Sequence, residues 1–173
     1  MLGDQLNRAF SGLAEARPDT HRVLFVHAAD LIRRSGRHRQ RTHLVVAAMR
    51  RFAGDLLTEG FEVDEREAPS LAAGLADHRS RFRPERVVAM EPTSRRGLRL
   101  LDRHGVDTVR SNQFLCHYEE FAAWAEGRTR MRNEDFYRWQ RRRLGYLMDG
   151  DEPAGGRWNF DADNRRPPPA DER

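Results

Sequence analysis

The sequence predicts an α/β fold: a Rossmann-like, doubly wound parallel sheet whose first, central strand looks cut off, followed by two helices and an extended linker. Three observations predict it. Short apolar runs rich in β-branched residues alternate with amphipathic stretches between residues 22 and 110, helical periods alone follow beyond 115, and only Met1 and Leu2 precede the turn residues Gly3 and Asp4. A βαβα order in one chain implies a parallel sheet with helices on both faces. Such a sheet ordinarily begins with a central strand whose carboxyl end leads into a ligand-binding turn.

Taken in order, "RVLFVH" (Arg22 to His27) reads as a strand, and "RQRTHLVVAAMRRFAGDLLTEG" as a helix in which Val45, Met49, Phe52 and Leu56 recur at helical spacing before Gly60 stops it. "FEVDERE" alternates as a second strand, and "SLAAGLADHRSRF" is a helix that Ser70 can cap. "RVVAM" (Arg86 to Met90), a helix in "TSRRGLRLLDRHG" and the strand "VDTVR" complete the alternation. Beyond 115, "CHYEEFAAWAEG" places Tyr118, Phe121, Ala122 and Ala125 on one face, and "NEDFYRWQRRRLGYLMDG" opens with Asn133 as its expected cap. Past Gly150 no apolar period remains, so residues 1–149 are read as the α/β domain and 150–173 as linker or tail.

Composition narrows the chemistry. The chain has 173 residues, enough for one core, and at 38% hydrophobic and 34% charged it is polar for a globular protein. No apolar run approaches the ~18 residues of a membrane span and the start lacks a signal-peptide layout, so no membrane partner is expected and the cytoplasm is the default compartment. A single cysteine, Cys116, excludes an internal disulfide and a four-thiolate metal site within the chain. It reads as a buried, inert thiol beside Phe114 and Leu115. His38 and His43 are five apart, which does not align two ligands on one helical face, and no metal is expected. All 31 basic residues are arginine, which removes Schiff-base chemistry and the lysine of a phosphate-binding loop. The formal charge of +4 and a pI near 10.1 favour polyanionic partners.

Three stretches together resemble one family: "LGDQL" at the start, "HRQRTHLVVAAMRRFA" on the long helix, and "FLCHYEEFAAWAEGRTRMRNEDFYRWQRRRLGYLMDGDEPAGGRWNFDADNRRPPP". Glu91-Pro92 after a strand fits the same pattern. This chain resembles the bacterial photolyase-related proteins, the group that includes the iron–sulfur bacterial cryptochromes and (6-4) photolyases. In that family the match covers the amino-terminal third of a longer protein. The resemblance implies an amino-terminal α/β antenna domain, with a lumazine- or flavin-type light-harvesting pigment, joined to a large helical domain. The helical domain holds FAD, a four-cysteine [4Fe–4S] cluster and the pocket for the damaged base, and photoexcited flavin drives repair by electron transfer. The resemblance further implies that Asp4, Gln5, Leu6, Arg34 and His38 line the pigment region. Leu31 and Arg34 stand where the lumazine-binding pattern has a carboxylate and an aromatic ring.

Two features of the residues themselves bear on partners. Arg33, Arg34, Arg37, Arg39 and Arg41 crowd the start of a helix, where the macrodipole disfavours cations; a phosphate of a nucleotide, a flavin mononucleotide or a DNA backbone would resolve the conflict, and an exposed, screened rim is the alternative. Trp158 and Phe160 lie among glycines, prolines and charges without any period, so something is expected to receive them. In relatives the connector packs on the helical domain; folding back onto the chain's own α/β domain is the alternative. Two of Arg141, Arg142 and Arg143 are expected to face water as a solvated face, and Asp149, Asp151 and Glu152 read either as turn chemistry or as a carboxylate cluster. No catalytic residue is assigned. The expected function is the antenna-type domain of a photolyase-related DNA-repair or cryptochrome protein, separated from its FAD and iron–sulfur domain and without lyase activity alone, with that domain as partner and DNA bound through the parent protein. The alternative is a stand-alone basic module that grips nucleotide or nucleic acid through Arg33 to Arg41.

Overall fold

The computed structural model describes residues 1–34 and 38–161, the side chain of Arg34 excepted. The chain divides into two compact units, the first Met1–Leu115 and the second from Cys116 onward. This division falls where strand–helix alternation ends, whereas the sequence places a boundary at 149.

The first unit is mixed α/β. Its order is α1 (Ser11–Ala14), β1 (Arg22–Ala28), α2 (Ala29–Arg34), α3 (Arg39–Thr58), β2 (Glu62–Ala68), α4 (Leu71–Phe82), β3 (Val88–Met90), α5 (Arg95–Arg103) and β4 (Asp107–Val109). β1 and β2 pair in parallel from Arg22↔Glu62 to Ala28↔Ala68, and β3 and β4 pair in parallel from Val88↔Asp107 to Met90↔Val109. These are two separate two-stranded sheets; β1 and β3 are not paired with each other.

The pleat of β1 sorts its side chains. Val23 and Phe25 face α3, where Met49, Ala53 and Leu56 recur at helical spacing and close a core with Leu13 and Phe61. Phe25 and Leu56 are fully buried, each stabilising the fold by about 2–3 kcal/mol. Val26 and Ala28 take the opposite face with Ala68. There α4 comes so close that a Cβ on Gly74 would sit 2.6 Å from Val26 Cγ1, a contact only glycine permits. Helix ends follow local chemistry: Ser70 Oγ accepts from Ala73 N at 3.1 Å, Ser94 Oγ accepts from Gly97 N at 3.1 Å, and Gly60 leaves α3 at φ +90°.

Two polar arrangements hold this unit together. Met1 and Gln5 span the two sheets: the terminal ammonium donates to Leu24 O of β1 at 2.6 Å, and the buried Gln5 amide donates to Met90 O at 3.3 Å and Glu91 O at 3.0 Å at the end of β3. Asp64, buried on β2, accepts from Arg66 Nε at 2.5 Å and pairs with His78 Nδ1 of α4 at 2.6 Å. Burial pushes the Asp64 carboxyl up, but hydrogen bonds from Arg66 and then His78 outweigh it and leave the group below its usual range.

In the second unit α6 (Tyr118–Ala125) and α7 (Asn133–Leu144) lead to a hairpin of β5 (Met148–Asp149) and β6 (Glu152–Pro153), then a 3-10 turn over Ala154–Gly156. Gly150 turns the hairpin at φ +62°, which accounts for the surrounding acids as turn residues. Trp124 rather than the expected Tyr118 face is the buried part of α6. It meets Phe136 at 5.1 Å, edge on, and Trp139 at 6.1 Å, while Tyr118 and Phe121 stay exposed. The large indole fills the contact with α7 that Ala122 and Ala125 are too small to make. Asn133 does not cap α7: Arg132 holds that position without a side-chain bond, and Glu134 and Asp135 in the first turn complement the dipole instead. No helix among the described residues is long and apolar enough to cross a membrane.

Two predictions follow the buried charges. Burial lowers the Met1 ammonium from 8.0 to about 6. In the polypeptide that starts at Met1, folded and unfolded states are both protonated below about pH 6, and the folded state carries the full burial cost. Stability therefore rises between about pH 6 and 8, by about 2–3 kcal/mol at most, and acetylation of the nitrogen removes that rise. Urea unfolding of acetylated and free chains across this range checks it. For Asp64 the sign is opposite. Its stabilisation is present above the unfolded carboxyl value of 3.8 and lost as pH falls toward the lower folded value. Asp64→Asn is expected to cost about 1–3 kcal/mol at neutral pH and to remove this part of the acid dependence.

Candidate functional site

Parallel strands direct their carboxyl ends to one edge, and the turn Gly3–Asp4–Gln5 lies at that end of β3, bonded to it through Gln5. Gly3 packs directly on α3, since a Cβ there would stand 2.8 Å from Val45 Cγ1. The turn is therefore packed directly on α3.

Asp4 is exposed. Its carboxylate lies 3.5 Å from Thr93 Oγ1, and its carbonyl accepts from Gln113 Nε2 at 3.1 Å. The Gln113 Oε1 beside it is buried and has no partner among the described residues. Gln5 is 1% exposed and spends its amide on Met90 and Glu91, so it shapes the turn. Leu6 is half-buried against the α3 core. Glu91, from the Glu91-Pro92 pair, accepts from Ser111 N at 3.0 Å and fixes the loop after β4.

On the β1 side, His27 ends the strand buried, with Nε2 2.6 Å from Glu65 Oε1 and Nδ1 without a partner among the described residues. Arg50 of α3 reaches Glu67 at 3.2 Å. Sequence reasoning did not single out His27 or Gln113. Their signal is position, one residue before and four after the ends of β1 and β4.

α2 follows β1 without a loop and presents Leu31 and Ile32 to solvent; Arg33 is also exposed. His38 caps α3, its Nδ1 accepting from Gln40 N at 3.3 Å, so that ring nitrogen is engaged locally. Arg39 and Arg41 are exposed in the first turns of α3, whose first turn holds no acidic residue. Arg37, the side chain of Arg34 and residues 162–173 of the linker lie outside the described residues. No group of three or more His, Cys, Asp or Glu among the described residues is arranged to hold a metal ion.

The tail rings have a place in the second unit. Trp158 is half-buried against α7, its ring centroid 4.5 Å from Arg142 and 5.4 Å from both Arg138 and Arg141. Arg141 is 7% exposed and acts as a hub: Nη1 donates to Trp158 O at 3.0 Å and Tyr137 Oη at 3.1 Å, Nε to Tyr146 O at 3.2 Å, and Nη2 to Leu147 O. Arg142 and Arg143 are exposed. Phe160 is 48% exposed, with Arg157 4.8 Å from its ring.

Residues 1–173 match the family described as deoxyribodipyrimidine photo-lyase-related protein. Over 179 aligned residues the chain is 32% identical to a (6-4) photolyase of Agrobacterium fabrum (strain C58 / ATCC 33970), an alignment covering 96% of this chain and 35% of that protein. The chain thus spans about a third of the length of this curated relative.

Arg141 yields a sharp prediction. Arg141→Ala leaves three backbone carbonyls without their donor, and is expected to cost about 2–4 kcal/mol in urea unfolding and to expose Trp158 to acrylamide quenching. Arg141→Lys recovers little of it, because a point charge cannot serve a fork of acceptors. Stability of the alanine variant within about 0.5 kcal/mol of the native chain contradicts the assignment.

Proposed function

Because the chain belongs to the deoxyribodipyrimidine photo-lyase-related protein family, we propose that it is the antenna-type α/β part of a light-responsive DNA-repair or cryptochrome protein. The observation that carries the reading is the Asp4–Gln5–Leu6 turn, bonded through Gln5 to the carboxyl end of β3 and following Gly3, which packs on α3. On this reading the two parallel sheets are halves of one Rossmann-like, doubly wound sheet, and ligands sit at its topological switch.

A lumazine- or flavin-type pigment bound there would supply light absorption and energy transfer. The residues fit the polar edge of such a ring. Asp4 offers an exposed acceptor, and Gln113, bonded to the same turn, holds a buried oxygen without a donor among the described residues. Gln5 keeps the turn in place, and His38 orders the start of α3. Flavin-driven electron transfer and lesion reversal belong, on this reading, to a helical domain carrying FAD and a [4Fe–4S] cluster. Phe160, exposed at the end of the described tail, is the ring this reading places against that domain, with Trp158 setting its approach.

A second reading has its own observation: Arg33, Arg39 and Arg41 are exposed around the start of α3 with no acid in its first turn. That is the arrangement of a small basic module for nucleotide or nucleic acid.

Three measurements separate these readings. The purified chain is expected to bind a lumazine in fluorescence titration, with about tenfold loss in Asp4→Ala. Alone it shows no flavin absorption and no light-driven reversal of an ultraviolet lesion; both appearing in the chain by itself contradict the antenna reading. Duplex binding that weakens steeply with salt and is lost in Arg39→Ala plus Arg41→Ala supports the basic module, and salt-insensitive or absent binding counts against it.

A further inference from the structure

One face of α5 is left unused by the fold. On its inner side Leu101 packs with Leu75 of α4 and Val106, and a Cβ on Gly97 would stand 2.8 Å from Pro92 Cγ. On its outer side Arg95, Arg96, Arg99 and Arg103 are all exposed. At 3.6 residues per turn these four fall within about 100° of the helix circumference, nearly opposite Leu101. Arg95, Arg99 and Arg103 form a single row about 12 Å long.

Holding the unit together does not account for this row. Elsewhere in the same unit Arg8 meets Glu59 at 2.9 Å, Arg50 meets Glu67 at 3.2 Å and Arg86 meets Asp107 at 3.4 Å. Among the described residues, none of the four arginines of α5 has an ion pair, a side-chain hydrogen bond or an aromatic ring beneath it. Even Asp102, the one acid of the helix, is not engaged by them. The row also works against the helix that carries it. Arg95 and Arg96 stand in a first turn without an acid, at the positive end of the dipole, and like charges four residues apart repel. An anion laid along the face removes both conflicts.

The residue types narrow the anion. Guanidinium forks hold phosphate oxygens bidentately, and a row of them suits a repeating polyanion. No aromatic residue stands from Thr93 to Arg103, so the face offers no ring on which an unpaired base stacks. Leu98, Leu100 and Leu101 are half-buried or buried, so it also lacks the exposed apolar surface with which an interfacial helix enters a bilayer. Guanidinium groups donate only, which leaves the four without an acceptor for the 2′-hydroxyl that marks RNA.

We propose that the outer face of α5 is a docking surface for duplex DNA, gripping backbone phosphates through Arg95, Arg99 and Arg103, with Arg96 flanking the row, and reading no base sequence. It uses none of the residues of the Asp4 turn or of the basic module at the start of α3, and it stands whether or not either of those readings holds.

Fluorescence anisotropy of the full chain with a labelled, undamaged DNA duplex of about 20 base pairs tests it. Arg95→Gln plus Arg99→Gln plus Arg103→Gln is expected to weaken binding by about tenfold or more and to lower the slope of log K against log salt by about 2 to 3. Lysine at the same three positions is expected to keep that slope, which ties the loss to charge and not to folding. Arg17→Gln plus Arg51→Gln plus Arg83→Gln removes as many exposed charges away from α5 and is expected to leave affinity within about twofold. Equal losses in the two glutamine variants overturn the proposal, because net charge then suffices. Binding that survives the α5 change and is lost in Arg39→Ala plus Arg41→Ala also overturns it, and assigns the duplex to the start of α3. So does an absence of duplex binding at low salt, or tighter binding of single-stranded DNA, an RNA duplex, polyglutamate or phosphatidylserine vesicles.

Discussion

Five residues at the start of the chain bear the connection between two sheets that otherwise do not touch through their backbones. The Met1 nitrogen meets β1 at Leu24, and the Gln5 side chain meets the end of β3 at Met90 and Glu91. Each bond is modest by itself. Their value lies in where they are made: a buried amide with its donors unmet would cost about 1–3 kcal/mol, so once Gln5 is inside, the end of β3 is held to it. The turn inherits its position from this, because Asp4 directly precedes Gln5 and Gly3 is its contact with α3. Position of the site and integrity of the sheet region are one constraint.

The same economy appears at two other buried charges. Asp64 is kept ionised by Arg66 and His78, linking β2 to α4, and Phe82 stacks beneath the same group, with His78 at 5.1 Å and Arg22 at 3.8 Å from its ring. Arg141 has no carboxylate partner among its bonds. It gathers carbonyls of the turn after α7 and of the tail, which orders a glycine-rich segment that has little apolar surface of its own to bury. In both places a charge is tolerated because its hydrogen-bonding capacity is nearly used up, and backbone geometry is the beneficiary.

Much of the first unit was legible in the sequence. β1, α3, β2 and α4 lie where apolar periods place them, since Phe25, Met49, Leu56 and Leu75 are buried on the faces those periods define. The pairing of strands was not legible: the three residues of β3 carry no period that names a neighbour. The turn after the opening residues was legible, whereas the bonds of the Gln5 amide to Met90 and Glu91, more than eighty residues away, carry no mark in the local sequence. In the second unit, Arg141 looked like its two exposed neighbours, since a run of three arginines contains no mark of which one the following left-handed turn, Gly145 at φ +68° and Leu147 at φ +53°, will enclose. Trp124 was overlooked because the period through Tyr118 and Phe121 is as regular as the one that is buried.

The chain belongs to the photolyase-related family, and it spans about a third of the length of the curated relative it matches. The claim on which the account rests is that Gln5 couples the β1 and β3 sheets. Residue-level hydrogen exchange in a Gln5→Leu variant, which keeps the size of the side chain and removes its donors, tests it most directly. The account predicts that Phe25 on the β1 side and Asp107 and Glu91 on the β3 side open together in the native chain and with separate free energies in the variant. A common opening free energy at all three positions in Gln5→Leu would contradict it.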